Sequence, residues 1–400
     1  MVAGIIQYAL YILRNPKRVV IIGFYCIKWC YMTNLFPRGV ARGEAFYDRH
    51  DERRKLKQNI ANIIHTVLIA PRRYGKTSLM NQVLYENKLE HLWFDFMTIT
   101  SKEDVQEKLL HKIGELISRI IPTTNKLKKL SYKYFRKLRP EITFSIPGVS
   151  LTLKLYEKNN REGIVEALTS LDNLAQELNT RLVVVFDEFQ EILRIDKDST
   201  LQGAIRHAVE RSKHITYLFS GSKHRPLRHI FSEKENPLYT LCEILEIGKI
   251  AKNEYIAYIN KVATEKWGKP MTSEVIDLIL TRSDYYPKYI NILCASVWLV
   301  DEEPTVESVT KLWNSYILSK KTDIAESLSE LTLNQRRLLQ WLCFHSTTEL
   351  YKRETLRNLK MSQSSVQRAI IELLNKDHVI EKDGVYRVLD PIWASYFKIF

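Results

Sequence analysis

The segment "IAPRRYGKTSLMNQVL", from Ile69 to Leu84, is the most informative part of the sequence about the fold around it. It continues a short apolar run, "HTVLIA", which is rich in β-branched residues and typical of a buried strand. A loop containing a glycine comes next, and "KTSLMNQVLYE" then has its apolar residues at helical spacing. The sequence therefore predicts a strand, a loop and a helix, in that order.

The loop has the spacing of a phosphate-binding loop, A-x-x-x-x-G-K-[ST]. Backbone N–H groups at a helix N-terminus attract phosphate, and Gly75 permits a backbone turn that we expect a side chain to block. Lys76 places a positive charge on the β- and γ-phosphates of ATP, and the Thr77 hydroxyl ligates Mg²⁺. We expect Ala70, where glycine is usual, to weaken the match only slightly. The predicted nucleotide-binding residues are Ala70, Pro71, Arg72, Arg73, Tyr74, Gly75, Lys76, Thr77 and Ser78.

A second apolar run, "RLVVVFDEF", ends in the paired carboxylates Asp187 and Glu188. A continuous apolar run is typical of a strand buried in a parallel sheet, and the carboxyl ends of such strands form ligand sites. We expect Asp187 to hold the Mg²⁺ shell and Glu188 to polarise the attacking water. The alternative is a buried strand that ends in a solvated turn.

A third apolar run, "TYLFSGS", ends in small polar residues. Ser220 or Ser222 can reach the γ-phosphate or the water from there, although a simple small-residue turn explains the pattern equally well. One strand-helix unit, His91 to Ile121, separates the loop helix from the Asp-Glu strand, an order that fits ATPases with an inserted strand and an added catalytic glutamate. The predicted fold is an α/β P-loop NTPase with a parallel sheet flanked by helices.

The composition favours an anionic partner. Sixty Lys and Arg residues against forty-six Asp and Glu residues give a formal net charge of +14, which points first to nucleic acid and second to an acidic membrane surface. The five cysteines are scattered without metal-ligand spacing, so we expect reduced thiols in a cytoplasmic protein.

The first 35 residues are predicted to be an apolar extension, with two apolar stretches separated by the basic "RNPKR". Three interpretations remain open: a membrane anchor, an interfacial helix, or sequence upstream of a true start at Met32. The second stretch is about long enough to span a bilayer, although Lys28 lies within it. Membrane contact through residues 1–31 is therefore one alternative.

The remaining chain is divided by its patterns into three further domains, 36–250, 251–319 and 320–400. The first carries the phosphate loop and a basic insertion at 124–158, in which "NKLKKLSYKYFRKLR" has seven basic residues and no acids. Tyr132 or Phe135 can stack on nucleic-acid bases there, or the segment is a solvated helix. A β-hairpin is expected after it. The second domain is predicted to be a wholly helical lid.

The last domain has the pattern of a winged helix-turn-helix. Its third helix is expected to begin after Ser362 as N-cap, and the Asp383–Gly384 turn predicts a hairpin. In such domains the third helix enters the major groove of DNA. The candidate DNA-binding residues are Gln363, Ser364, Gln367 and Arg368 on that helix, and Lys382 and Arg387 on the wing. From Lys320 onward thirteen Lys and Arg stand against ten Asp and Glu, only +3, so docking of a protein is the alternative.

These motifs together resemble the archaeal-type ATPases at the AAA+/STAND border. The motifs "FYDRHDE", "APRRYGKTSL", "FDEFQEI" and "LFSGS" carry the resemblance, which runs from about Phe36 to Phe400. Where the family has "G-G-x-P-x-Y", this chain has "SDYYPKY", so Tyr285 and Tyr286 replace small residues while Pro287 and Tyr289 are kept. The resemblance implies ATP binding, Mg²⁺-dependent hydrolysis and a C-terminal winged helix.

The leading functional hypothesis is an ATPase whose nucleotide state is coupled to a winged helix that binds double-stranded DNA. One alternative is a slow nucleotide-gated signalling switch whose winged helix binds a protein, and another is a membrane-tethered ATPase. Arg72 and Arg73 can provide positive charge within their own loop or act on an adjacent subunit of a homo-oligomer. Arg206 and Arg211 are further candidates for acting on a neighbouring subunit, without an assignment.

Overall fold

The computed structural model describes residues 35–121, 123–145, 148–154, 160–222 and 224–400. Residues 1–34, and with them the three interpretations of the N-terminal extension, lie outside the described residues. Within the described ranges, no helix is long and apolar enough to cross a membrane. The chain forms two compact units, the first from Arg49 to Gly248 and the second from Lys249 to Phe400. The segment that ends at Asp48 belongs to the second unit, whereas the sequence pattern placed it with the phosphate loop.

A five-stranded parallel sheet forms the centre of the first unit. Its strands are β1 (Thr66–Ile69), β2 (Glu90–Asp95), β5 (Leu182–Asp187), β6 (Ile215–Gly221) and β7 (Glu243–Glu246), in the order β2-β5-β6-β1-β7. Ile69 pairs with Gly221 and Asp95 with Asp187, so the carboxyl ends of the strands meet at one edge. Every residue of β1, β5 and β6 is buried, as expected where helices cover both faces.

Eight helices surround this sheet in the described part of the first unit. They are α1 (His50–Ala61), α2 (Lys76–Glu86), α3 (Lys102–Ile120), α4 (Thr124–Phe135), α5 (Asn160–Glu177), α6 (Ile192–Ile195), α7 (Thr200–Arg211) and α8 (His224–Ser232). Helix α3 is capped at its N-terminus, since the Ser101 side chain accepts from the N–H of Asp104 at 3.2 Å. The apolar run "HLWFDFMTI" continues to Ile99, but strand β2 ends at Asp95, because the Asp95 side chain accepts from the N–H of Met97 and starts a short 3-10 helix.

The basic insertion is part of the core of the first unit. Its hairpin is present as β3 (Pro140–Ser145) and β4 (Gly148–Leu153), which pair antiparallel. Phe135 has 0% of its surface exposed and therefore cannot stack on bases, contrary to one expectation, whereas Tyr132 is 52% exposed. Since Lys133 forms an ion pair with Glu177, part of the basic charge is already neutralised.

The second unit begins with helices and ends in a winged helix. Its elements are α9 (Lys252–Trp267), α10 (Ser273–Arg282), α11 (Pro287–Trp298), α12 (Val306–Ser319), α13 (Lys321–Ser329), α14 (Leu333–Leu342), α15 (Arg353–Leu359), α16 (Gln363–Asn375), β8 (Val379–Lys382), β9 (Val385–Val388) and α17 (Pro391–Ile399). Ser362 caps α16 as predicted. Asp383 and Gly384 have φ of +53° and +77°, as a type I′ hairpin turn requires. From α9 to α12 the unit is helical, as expected.

The N-terminal segment of the second unit is held by aromatic contacts. Phe36 is fully buried against Trp298 and Tyr258, and Tyr47 stacks on Tyr258 with a centroid distance of 3.6 Å. These rings bury a large apolar area. Their burial attaches the segment to the second unit, although the chain runs directly from it into the first unit. The aromatic packing explains why the segment before Arg49 belongs with the helices.

The winged helix is joined to the preceding helices by side-chain hydrogen bonds. Tyr289 donates to Asp390 Oδ1 at 2.6 Å, and the Tyr286 hydroxyl donates to the carbonyl of Leu389. Trp313 Nε1 donates to Ser395 Oγ at 3.0 Å in a buried position. One of the two residues that depart from the family pattern, Tyr286, therefore has a structural use, because it bonds to the chain just before α17.

Candidate nucleotide site

The phosphate loop requires glycine for its backbone conformation. Gly75 has φ of +87° and precedes the first residue of α2, Lys76. A Cβ atom at Gly75 would meet no atom within 4 Å, so no neighbouring atom excludes a side chain there. The need for glycine comes from the left-handed backbone, which costs L-residues energy wherever it occurs.

Lys76 is folded over its own loop. Its side chain is buried, with 6% exposed, and Nζ donates to the carbonyl oxygens of Ala70 at 2.8 Å and Pro71 at 3.3 Å. The contact with Ala70 uses the backbone, which is the same for alanine and glycine. The substitution of alanine for glycine at this position therefore leaves the cradle of the lysine in place.

Arg49 binds the backbone of the phosphate loop through its side chain. Its side chain is buried and donates to the carbonyls of Tyr74 at 2.8 Å and Gly248 at 3.0 Å. Sequence reasoning assigned no role to this arginine, although it is the arginine of the "FYDRHDE" motif. Because a guanidinium carries donors in a rigid fork, it can fix two carbonyls at once.

Asp187 lies at the carboxyl end of β5 and is buried. Its Oδ1 accepts from the hydroxyl of Ser220 on the adjacent β6 and from the N–H of Glu188 at 3.0 Å. Burial raises the pKa of Asp187 above its ordinary value, the bond from Ser220 opposes this rise, and the neighbouring Glu188 charge adds to it. A cation beside Asp187 would favour the ionised form of this carboxylate.

Gln190 and Ser222, together called the Glu188 clamp, donate hydrogen bonds to one oxygen of the Glu188 side chain. Its Oε2 accepts from Gln190 Nε2 at 2.6 Å, Ser222 Oγ at 2.8 Å and the N–H of Ser222 at 3.2 Å. Burial alone would raise the pKa of Glu188, but these bonds and the charge of Lys76 outweigh it and lower the pKa below its ordinary value. The carboxylate is therefore held ionised, at a backbone φ of +48°.

Gln190 is a residue of this site that sequence reasoning missed. Its side chain is 4% exposed, and its Oε1 has no hydrogen-bond partner among the described residues. A Cβ atom on Gly221 would lie 2.0 Å from that oxygen, so glycine there makes room for the amide. The available signal was its place two residues after Glu188, in "FDEFQEI".

The structure brings together most of the predicted site residues. Arg72 Nε donates to Ser222 Oγ at 3.3 Å, which links the phosphate loop to the Glu188 clamp. Thr77 and Ser78 lie in the first turn of α2 and are partly exposed, while Arg73 is exposed and Tyr74 is buried. The edge where β1, β5 and β6 end thus carries one lysine and two carboxylates, and each carboxylate accepts a hydrogen bond from a serine hydroxyl.

The two arginines before β6 bond to nearby groups. Arg206 forms an ion pair with Glu210 at 2.7 Å and also donates to the carbonyl of Pro237. Arg211 contacts the ring of His207, four residues before it. These contacts leave both arginines without an assigned role in the site.

The candidate DNA-binding residues lie in the second unit. Gln363, Ser364, Gln367 and Arg368 are exposed on α16, and Val366 and Ile370 of the same helix are buried. Lys382 is exposed at the end of β8. Arg387 differs from the others, since it is only partly exposed and lines a cleft.

A comparison with known families agrees with this description of the C-terminal region. Residues 324–398 match the family described as "Probable winged helix domain". The predicted winged helix is therefore confirmed. No curated protein sequence matches this chain.

Solved structures share the fold over most of the chain. The Walker-type ATPase Paby2304 of Pyrococcus abyssi matches with a TM-score of 0.65 and 18% identity, covering 90% of this chain and 99% of that one. The ORC2 protein of Aeropyrum pernix, in its ADPNP and ADP complexes, matches with a TM-score of 0.53 and 13% identity, covering 89% and 95%. The chain has the fold of the archaeal Walker-type ATPases, a P-loop sheet flanked by helices and followed by a C-terminal winged helix domain.

Proposed function

We propose that this protein binds ATP with Mg²⁺ and hydrolyses it. The observation that carries the proposal is the arrangement at the carboxyl edge of the sheet. There Lys76, at the N-terminus of α2, acts electrostatically on Glu188, whose clamp is bonded to the phosphate loop through Arg72 and Ser222. A lysine over a helix N-terminus, next to one buried and one partly buried carboxylate, is suited to a phosphate chain and its metal.

Each residue has a role in this proposal. The loop from Ala70 to Ser78 surrounds the phosphates, and Lys76 leaves its loop carbonyls to bind them. Thr77 and Asp187 would hold Mg²⁺, which neutralises phosphate charge when bound. Among the described residues, no group of three His, Cys, Asp or Glu could hold a metal by itself, which suits an ion bound mainly through phosphate and water.

Glu188 acts as the base for the attacking water. A base must be ionised, and the donors on Oε2 keep this carboxylate so at neutral pH. None of the described residues donates to its other oxygen, Oε1, which is therefore the atom suited to the water. Ser220 and Ser222 position the two carboxylates rather than the phosphate in this arrangement.

Two variants test the enzymatic proposal. Lys76→Ala should abolish ATP binding, because the cradle loses its cation, whereas Glu188→Gln should bind ATP and hydrolyse it at least a hundredfold more slowly, as expected for loss of a catalytic base. ATP affinity and steady-state hydrolysis are the measurements. Lys197→Ala, which changes an exposed lysine of the same unit, is the control. Equal hydrolysis by Glu188→Gln and the unaltered protein would contradict the role of Glu188.

We further propose that the winged helix binds double-stranded DNA through α16. The support is the exposed row of Gln363, Ser364, Gln367 and Arg368, whose side chains suit base edges and phosphates. The low charge of the region, +3 from Lys320 onward, favours docking of a protein as the second candidate.

DNA affinity separates these candidates. Gln367→Ala and Arg368→Ala should each weaken binding to duplex DNA, and Arg368→Ala should also reduce its salt dependence if that arginine contacts phosphate. Lys261→Ala, on an exposed face of α9, is the control. Point variants are preferable to deleting residues 320–400, because deletion would expose the buried Trp313. Unchanged affinity in both α16 variants would favour the protein-docking candidate.

A further inference from the structure

A cleft lies within the second unit, between its helices and the winged helix. Its volume is about 600 Å³, within the usual range for a site that binds a small molecule. One wall comes from the end of α10 and the turn after it, another from the end of α14, and the third from β9 and α17. The cleft is therefore bordered by both parts of the unit.

Three cations line the cleft: Arg282, Arg387 and Lys398. Among the described residues, neither guanidinium has a hydrogen-bond acceptor or an ion-pair partner, and the ammonium of Lys398 has only the ring of Phe344, 6.0 Å away. Arg282 and Arg387 are both partly buried. Partial burial removes water from a guanidinium, and without a new acceptor this loss costs free energy. A bound anion would offset that cost.

The acids of the cleft do not supply that anion. Asp284 forms an ion pair with Lys249 at 2.6 Å. Asp390 accepts from the Tyr289 hydroxyl at 2.6 Å and from the N–H of Ile392 at 3.2 Å, and it is needed as the cap of α17. Both carboxylates are thus committed elsewhere, and the cleft keeps an excess of positive charge.

We propose that this cleft binds a small phosphorylated molecule. Arg282 and Arg387 would bind its phosphate with paired N–H donors, which suit phosphate geometry, while Lys398 adds charge at the rim. Leu278, Val388 and Pro391 offer apolar contact to the rest of the molecule. Arg387 therefore serves this site rather than a DNA phosphate. Since the ligand would touch α10 and α17 together, its binding strengthens the attachment of the winged helix to the preceding helices.

Pyrophosphate is the probe for this site, used without Mg²⁺ on the full chain carrying Lys76→Ala, so that the phosphate loop does not compete. Calorimetric titration should show one binding site. Adding Arg282→Gln and Arg387→Gln should weaken the affinity at least tenfold, because charge-assisted bonds are lost. Adding Arg357→Gln instead, which removes the same charge from the exposed face of α15, should leave it unchanged. Thermal unfolding of each variant without ligand checks that the fold is retained.

Two results would overturn the proposal. One is the absence of pyrophosphate binding to the Lys76→Ala protein at millimolar concentration, and the other is equal affinity in the protein with and without the two arginine substitutions. If these substitutions instead weaken duplex DNA binding while pyrophosphate does not bind, the cleft belongs to a DNA surface and the small-molecule site is wrong. ATP binding by the protein with Lys76 intact is measured separately, so the two proposals fail independently.

Discussion

At the scale of the residue, backbone conformation decides which glycines matter. Gly75 and Gly203 both have open space where a Cβ atom would be placed, yet only Gly75 has a positive φ. Gly203 lies within α7, where alanine is the better helix former. Replacing glycine by alanine is therefore expected to have opposite effects on stability at the two positions.

We expect Gly75→Ala to destabilise the first unit by about 1–2 kcal/mol, the cost of a left-handed conformation for an L-residue. Gly203→Ala, as matched control, should stabilise it by about 0.5–1 kcal/mol. Urea unfolding of both variants measures the difference. A stabilising effect of Gly75→Ala would show that the loop does not need its left-handed residue.

The clamp on Glu188 predicts a pH dependence, provided that the protein hydrolyses ATP as proposed. The bonds from Ser222 and Gln190 lower the pKa of Glu188, so the ionised base persists to a lower pH than that of an ordinary glutamate. Ser222→Ala removes one donor, raises this pKa and should move the acidic limb of the kcat/KM profile to higher pH. Ser319→Ala, in the other unit, should leave the limb in place. If the acidic limb of the profile does not move in Ser222→Ala, the Ser222 hydroxyl does not lower the pKa of Glu188.

At the scale of the element, close approach of a helix to a strand constrains one glycine of α3. A Cβ atom on Gly114 would lie 2.1 Å from the carbonyl oxygen of Leu151 in β4. Backbone cannot move aside as a flexible side chain can, so the hairpin of the insertion depends on this glycine.

Gly114→Ala should destabilise the first unit by about 1–3 kcal/mol, the usual cost of overpacking, despite the helix propensity of alanine. Gly203→Ala is again the control, because it makes the same change in a helix without a neighbour. Thermal unfolding of the two variants checks the prediction. Equal stability of the two variants would mean that the hairpin does not pack closely on α3.

Most elements follow from local pattern. The apolar runs ending at Ile69 and Asp187 are strands, and Ser101 and Ser362 cap their helices, because burial period and capping depend on neighbouring residues. Strand β2 is shorter than its apolar run, which continues past Asp95 while the backbone turns there. A local side-chain bond outweighed the apolar pattern.

At the scale of the whole molecule, the second unit is held together by polar contacts as well as apolar burial. Tyr289 is buried on α11 and bonds to Asp390, the cap of α17. The family-like tyrosine thus joins the helical region to the winged helix, a partnership that spans about a hundred residues of sequence.

Tyr289→Phe should destabilise the second unit by about 1–3 kcal/mol, because a hydrogen bond to a charged group is lost. Hydrogen exchange should become faster in α17, where Asp390 loses one of its partners. Tyr351→Phe, at an exposed position of the same unit, is the control. Unchanged exchange in α17 of the Tyr289 variant would show that this bond does not attach the winged helix.

Local sequence was enough to predict β1, β5 and β6, the phosphate loop, the two carboxylates and the winged helix, because these depend on residues close together along the chain. Which groups meet in the site depends on how the strands and helices pack against one another. Ser222 reaches Glu188 because β6 lies beside β5, and Arg49 reaches Tyr74 across the loop. The cations of the cleft come together for the same reason, from α10, β9 and α17. Strand order and helix packing set these distances, and no local pattern of residues encodes them.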